Sequence, residues 1–409
     1  MSGATLRAKL RWPLVSYGGI VVLLALLAQA HMAVGSQGIP VLAVFVQRDL
    51  GLTRTELGLF VATAQVGACA SMLVGGWLAD TLGVRRAVML GLGLIGLGLA
   101  TLPVAGTLAM ALPFLLVAGV GNGVASPPIT LAILHWLPLR LRALAMGLKQ
   151  TGVPLAGVLL AAGVPPLAEA AGWRVAALVV GATVLAMATL WGLVYRDAPG
   201  RARAERRPTA RAVGDLLRHP GIASVSLFAA IAAAAQFALL SYLILFLYER
   251  RDFPIVFAGL VLAAAQAGSL VGRIGWGVVS DRLLRGARKP ALCAAGGLGA
   301  LALAALVLLP THLPAVAFAT ALALGVSVLA WQALHQVAVA ELAGAERAGQ
   351  AIGLTMAILQ VGAIVGAPLF GFLVDRTGSY ELAWLLFAAL LAASVVAVAV
   401  GWREQAGPT

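Results

Sequence analysis

Apolar stretches of about 20 residues or more recur along the whole of this 409-residue sequence, and few of them carry a charge. That is the length a helix rising 1.5 Å per residue needs to cross about 30 Å of hydrocarbon. Twelve such stretches run at 14–46, 56–79, 87–105, 109–136, 143–168, 174–195, 221–248, 255–280, 290–309, 313–340, 348–374 and 381–402. Only 11% of the residues are charged and 61% are hydrophobic, whereas water-soluble domains carry about 25% charge. The solvent for this chain is therefore lipid, where backbone groups must bond within their own segment. The pattern predicts an all-α membrane protein with twelve transmembrane helices. The first stretch is too long for one straight span, and Gly35, Gly38 and Pro40 would let it bend or tilt.

A net charge of +13 could suggest nucleic-acid binding, but the basic residues are spread between apolar segments. With the amino terminus in the cytoplasm, 20 Lys and Arg fall on the inner side: Arg7, Lys9, Arg11, Arg85, Arg86, Arg140, Arg142, seven Arg between 196 and 218, Arg282, Arg285, Arg288, Lys289, Arg347 and Arg403. Six fall outside: Arg48, Arg54, Arg174, Arg250, Arg251 and Arg376. This asymmetry places both termini in the cytoplasm of a multi-pass protein of the bacterial inner membrane, with lipid and not nucleic acid as its surroundings. Arg7 to Arg11, the apolar run and Ala28-Gln29-Ala30 also resemble a cleavable leader. Cleavage would leave eleven spans and turn the Arg-rich loops outward, against the charge count. Cys69 and Cys293 lie in apolar segments without metal-ligand spacing and read as small core residues.

The longest polar break divides six spans from six. It gives an N-terminal bundle (1–195), a basic cytoplasmic linker (196–220) and a C-terminal bundle (221–409), with a short amphipathic helix expected near Ala212 to Leu217. Sliding the sequence by 201 positions sets Gly58 on Gly259, Leu59 on Leu260, Gln65 on Gln266, Gly67 on Gly268, Gly76 on Gly277 and Asp80 on Asp281. The halves are therefore parallel repeats, an arrangement that places a transport site near the bilayer midplane between them.

Between the second and third spans stands Gly76-Trp-Leu-Ala-Asp80-Thr-Leu-Gly83-Val-Arg85-Arg86, with a degenerate copy Gly277-Val-Val-Ser-Asp281-Arg282 after the eighth. This resembles the loop signature of the major facilitator superfamily, with Thr81 in place of its usual basic residue. The resemblance implies that family's fold of two six-helix halves. It also implies gating by Asp80, Arg85, Arg86, Asp281 and Arg282, since the loop Asp contributes there to a lock of the outward-open state.

Charges at membrane depth are expensive and are functional candidates by default. Arg273 lies eight residues before Asp281, about 12 Å into the eighth helix, and Lys149 lies seven beyond Arg142, about 10 Å into the fifth. Asp49, Glu56, Asp80, Glu169, Glu249, Asp281, Glu341 and Asp375 all stand near span ends, so no carboxylate matches that depth. Two such cations call for a counter-anion, or for a Lys without its proton. A carboxylate cargo meets that need, with Arg273 as its bidentate partner. Arg273-Ile-Gly-Trp-Gly277 is also similar to the segment of monocarboxylate and oxalate carriers whose Arg binds the carboxylate, although Ser269 stands where those carry an acid. Gly152, Pro154 and Gly157 resemble a loosened form of the Gly-Pro motif of superfamily antiporters, and in that fold the fifth and eighth helices bracket one cavity.

His31, Asn122, Gln236, Trp331 and Gln332 complete the set of candidate substrate-binding residues; each could equally serve as an interhelical partner. His31 could carry a proton, while His135 and His335 read better as hydrogen-bonded interior residues. These features point to a monomeric secondary carrier of a small organic anion, with a proton or counter-anion as coupling partner. The alternative is a drug or metabolite exporter. It is disfavoured because Leu115, not the Arg of many such exporters, precedes Gly119 and Gly121. An enzyme is not expected, since nucleotide loop, metal cluster and nucleophile–base pair are all missing from the sequence; no cofactor is implied.

Overall fold

Each apolar stretch folds as helix in the computed structural model, which describes residues 17–198, 216, 218–344 and 347–402. Among these there is no strand, and twelve helices are long and apolar enough to cross a membrane. They are α1 (Tyr17–Leu50), α2 (Arg54–Leu82), α3 (Val84–Val104), α4 (Leu108–Trp136), α5 (Leu139–Ala171), α6 (Trp173–Val194), α7 (Pro220–Arg251), α8 (Ile255–Leu283), α9 (Arg288–Leu308), α10 (Pro314–Ala343), α11 (Ala348–Thr377) and α12 (Tyr380–Gly401). The expected linker helix near 212–217 falls, apart from Leu216, outside the described residues, as do Arg7, Lys9, Arg11, Arg403 and the linker arginines between 199 and 215.

Local sequence sets the boundaries. At the start of α2, Thr53 and Glu56 form a reciprocal capping box: the Glu56 amide donates to Thr53 Oγ1 (3.2 Å) and the Thr53 amide to the Glu56 carboxylate (2.8 Å). At its end, Gly83 adopts φ +86°, which turns the chain directly into α3. This is the turn glycine of the loop signature. Asp80 and Arg86 flank it as exposed side chains.

Four helices depart from regular geometry: α3 ends in a 3-10 turn at Leu102–Val104, α8 ends in a π turn at Val279–Leu283, and α1 and α10 depart within their length. The long α1 contains one π turn, Val34–Gly38, before helix resumes at Ile39-Pro40, so the expected bend falls at the Gly35–Gly38 segment. The span read from sequence as unbroken between 313 and 340 is interrupted instead: α10 runs to Val328 and restarts at Gln332. Side chains of α8 make the break possible, because Trp276 Nε1 donates to the Val326 carbonyl (2.7 Å) and Ser269 Oγ to the Leu329 carbonyl (2.9 Å). Carbonyls released from the helical ladder thus keep a partner inside the membrane, where none can come from lipid.

Within the first half α2 and α3 pack on α4, and α6 packs on α3; in the second, α8 packs on α10 and α9 on α12. The halves meet chiefly through α2 with α11, α5 with α8, and the end of α1 with α7. Small residues set the closeness of the first two seams. A Cβ on Gly58 would stand 2.5 Å from Pro368 Cα and 2.6 Å from the Ala367 carbonyl, and one on Gly259 would stand 2.6 Å from both the Ala161 carbonyl and the Pro165 ring. Gly58 and Gly259 are counterparts in the 201-residue repeat, so one device is used twice. Cys69, expected in the core, is exposed on α2, and Cys293 is partly buried.

Candidate functional site

Both seams lie toward the end of the molecule away from the linker. Toward the linker end, a Cβ on Gly76 of α2, Gly147 of α5, Gly275 or Gly277 of α8, or Gly353 of α11 would meet nothing within 4 Å. No hydrogen bond or ion pair joins the halves there among the described residues. The halves are closed on each other at the far end and parted at the linker end.

Lys149 is ten residues from the linker-end terminus of α5 and Arg273 is ten from that of α8, which puts both backbones about 15 Å in along their helices. They occupy the two helices that pack across the halves at one seam. Lys149 is buried at 6% exposure, and its Nζ donates to Thr130 Oγ1 of α4 (2.8 Å). Arg273 is partly buried; its Nε reaches Ser269 Oγ and its Nη2 reaches Gln332 Oε1, both at 3.4 Å. Each cation is therefore held by neutral oxygens of its own half. Among the described residues every ion pair lies at a helix end, and none includes Lys149 or Arg273. Removal from water is uncompensated by any carboxylate, which leaves the capacity to bind an anion unspent.

The break in α10 places Gln332 at Arg273, because Gln332 is the first residue of the resumed helix and Ser269, bonded to Leu329, anchors the break one turn from Arg273. Trp331, next to it, is 1% exposed and edge-on to both Phe228 and His335. It packs the break rather than presenting its face to open space. His335 is fully enclosed beneath it. In the first half, Asn122 Nδ2 donates to the Met32 carbonyl (2.9 Å) at the start of the π turn, and His31 Nδ1 stands 2.8 Å from the carbonyl of Leu27 one turn back. Gln236 is buried on α7. The structure thus brings Arg273 and Gln332 together, keeps Lys149 with Thr130, and leaves His31, Asn122 and Gln236 on separate helices at intermediate depth.

Two of the gating candidates, Arg85 and Asp281, are engaged within their own halves. The Arg85 amide donates to Asp197 (3.0 Å) and its Nε to the Gly192 carbonyl (2.6 Å). Asp281 pairs with Arg288, which also holds Glu341 (3.0 Å). Arg282, Arg86 and Asp80 are exposed.

Sequence reasoning missed three features. Gln266 Nε2 donates to Gln37 Oε1 at 2.5 Å, a buried bond between the halves whose α1 partner stands in the π turn. The only hint was an amide flanked by Gly35 and Gly38. Ser269 and Trp276 hold the α10 break, for which the sequence of α10 offers only Gly325 as a hint. At the far end, Arg54, Glu249, Asp375, Tyr242 and Tyr380 bond the halves together, although the count of basic residues had treated Arg54 only as an outside charge.

Comparison with known proteins agrees with this architecture. The probable sulfoacetate transporter SauU of Cupriavidus necator is 28% identical over 391 residues, covering 88% of this chain and 88% of its own. Monocarboxylate transporter 11 of Homo sapiens is 30% identical over 364 residues, covering 84% of this chain and 76% of its own. A bacterial homolog of the human lysosomal transporter Spinster, solved in an inward-facing and occupied conformation, superposes with a TM-score of 0.72 at 18% identity, over 94% of this chain and 95% of that one. The family model described as Major Facilitator Superfamily matches residues 23–356, and with two six-helix halves and the loop signature at Gly76–Arg86 the chain belongs to that superfamily of membrane transporters.

Proposed function

We propose that this protein is a secondary carrier that moves a small organic anion, a carboxylate, across the bacterial inner membrane by alternating access, coupled to a proton or to a counter-anion. The observation that carries the reading is the pair of membrane-embedded cations, Lys149 and Arg273, one in each half and each satisfied only by neutral oxygens. A carboxylate entering between the halves gives Arg273 the bidentate, charge-assisted partner it lacks. Gln332 then becomes free to bond the anion's far side. Relatives named for sulfoacetate and for monocarboxylates support the same class of cargo. The excess of Lys and Arg on the linker side supports an orientation with linker and termini in the cytoplasm, so that the state described here opens inward. Asp80, Arg85, Arg86, Asp281 and Arg282 would form the inner gate when that side closes, and the segment 196–220 would connect the halves.

The test is uptake of a panel of labelled small carboxylates into proteoliposomes by wild type, Arg273→Gln and Lys149→Gln, with and without an imposed pH gradient and with and without internal substrate. Saturable uptake by wild type that is lost in Arg273→Gln supports the reading. Equal uptake by all three proteins overturns it.

A further inference from the structure

One residue of the first half, Arg54, is gripped from the second half through its amide, its carbonyl, Nε and Nη2. Its amide donates to Asp375 Oδ1 of α11 (3.0 Å), and its carbonyl accepts from the Tyr242 hydroxyl of α7 (2.6 Å). Its Nη2 donates to both oxygens of Glu249 at the end of α7 (2.7 and 2.6 Å), and its Nε to the Tyr380 hydroxyl at the start of α12 (3.2 Å). That hydroxyl donates onward to Glu249 (2.9 Å), closing a triangle. The carboxylate of Asp375 also takes the amide (2.8 Å) and the hydroxyl (2.6 Å) of Thr55. The second half thereby supplies an anion to the exposed donors at the amino terminus of α2, donors which its own Thr53–Glu56 box leaves unpaired.

We infer that Arg54 is the outer latch of this transporter: its bonds to Glu249, Tyr380, Tyr242 and Asp375 hold the far end shut while the linker end is open, and the far end opens only when they are released together. The placement suits that role. The latch stands at the outermost turn of the α2–α11 seam, four residues before Gly58, and Gly371 of α11 lets the Arg54 backbone come into direct contact with that helix. The Arg54 and Glu249 side chains are 30% and 25% exposed, dry enough for their attraction to count and wet enough at the rim to part without stranding a charge in lipid. The second seam, α5 with α8, has no counterpart, since the repeat partner of Arg54 is Ile255. The latch is therefore one-sided, and it sits away from Lys149 and Arg273, so it does not depend on the nature of the cargo.

The experiment measures distances between spin labels in the full chain reconstituted in lipid, with Cys69→Ala and Cys293→Ala as background. Leu139→Cys and Leu283→Cys report the linker end, and Val104→Cys and Leu308→Cys the far end. Glu249→Gln, which keeps the side chain's shape, should raise the ratio of far-end-open to far-end-closed molecules on the order of tenfold. Tyr380→Phe should move it the same way by less. Arg250→Gln breaks a far-end ion pair that lies wholly within the second half, and should leave both distributions as in wild type. Unchanged distributions in Glu249→Gln, or an equal change in Arg250→Gln, would overturn the assignment. Thermal unfolding of each variant identifies loss of fold, and Tyr380→Phe supplies the decision if Glu249→Gln fails to fold.

Discussion

Replacing Arg273 by Gln should remove most of the protein's affinity for an organic anion, and the geometry sets the size of the effect. The guanidinium makes two long bonds of 3.4 Å to neutral oxygens, so little is lost on giving them up. A bound carboxylate gains a bidentate pair in surroundings of low dielectric, and truncating one partner of such a pair leaves the other buried and unpaired, at about 2–5 kcal/mol. Taking about 3 kcal/mol, the apparent affinity falls about a hundredfold, since about 1.4 kcal/mol is a factor of ten. Arg273→Lys keeps the charge and loses the fork, and should fall between the two at about tenfold. Binding to the purified protein by calorimetry gives Kd directly, and counterflow in proteoliposomes gives the transport consequence. If Arg273→Gln folds like wild type and binds its best carboxylate within threefold of the wild-type Kd, an anion site at Arg273 is refuted.

Lys149→Gln should weaken anion binding about tenfold, because it removes a charge but leaves an amide able to bond Thr130, and the same calorimetric titration reads it. Ser269→Ala or Trp276→Phe takes one partner from a carbonyl at the α10 break; each should lower stability by about 0.6–1.7 kcal/mol in thermal unfolding, and Ser269→Ala should also weaken anion binding by loosening Arg273. Gly58→Val or Gly259→Val puts a side chain where a Cβ already stands 2.5 or 2.6 Å from the opposite helix. Both should drive the far end open in the spin-label measurement, whereas Gly147→Val, which meets nothing within 4 Å, should not.

Legibility in the sequence followed the range of the interaction involved. Lipid dictates helix length and charge asymmetry one segment at a time, so the number of spans, the division between halves and the turn at Gly83 could be read without knowing any neighbour. Arg273 and Lys149 were legible for the same reason, since a charge at membrane depth is anomalous whatever surrounds it. What failed needed a partner to be known. Gly325 is the one glycine near the break and does not place it; the break exists because Ser269 and Trp276, some 50 to 60 residues away, donate to its carbonyls. Trp331 looked like a cavity residue by type and lies instead inside an aromatic contact with Phe228. Arg54 counted as one outside charge among six, and its four partners come from three helices of the other half.

The repeat explains why these particular residues escaped notice. What the two halves share is the scaffold of the hinge: Gly58 and Gly259 bring the seams together with the same geometry, and residues kept alike in both halves stand out when the sequence is slid over itself. What distinguishes the halves is absent from the match by construction. Arg273 falls opposite Met72, Arg54 opposite Ile255, and the Gln266 that pairs with Gln65 in sequence bonds Gln37 in space. A rocking motion needs symmetric seams so that either end can close, while a bound anion and a latch must bias that motion. On the proposed reading the scaffold is carried by the matched positions, and the bias by the unmatched ones, Arg273 on the inside and Arg54 at the far end.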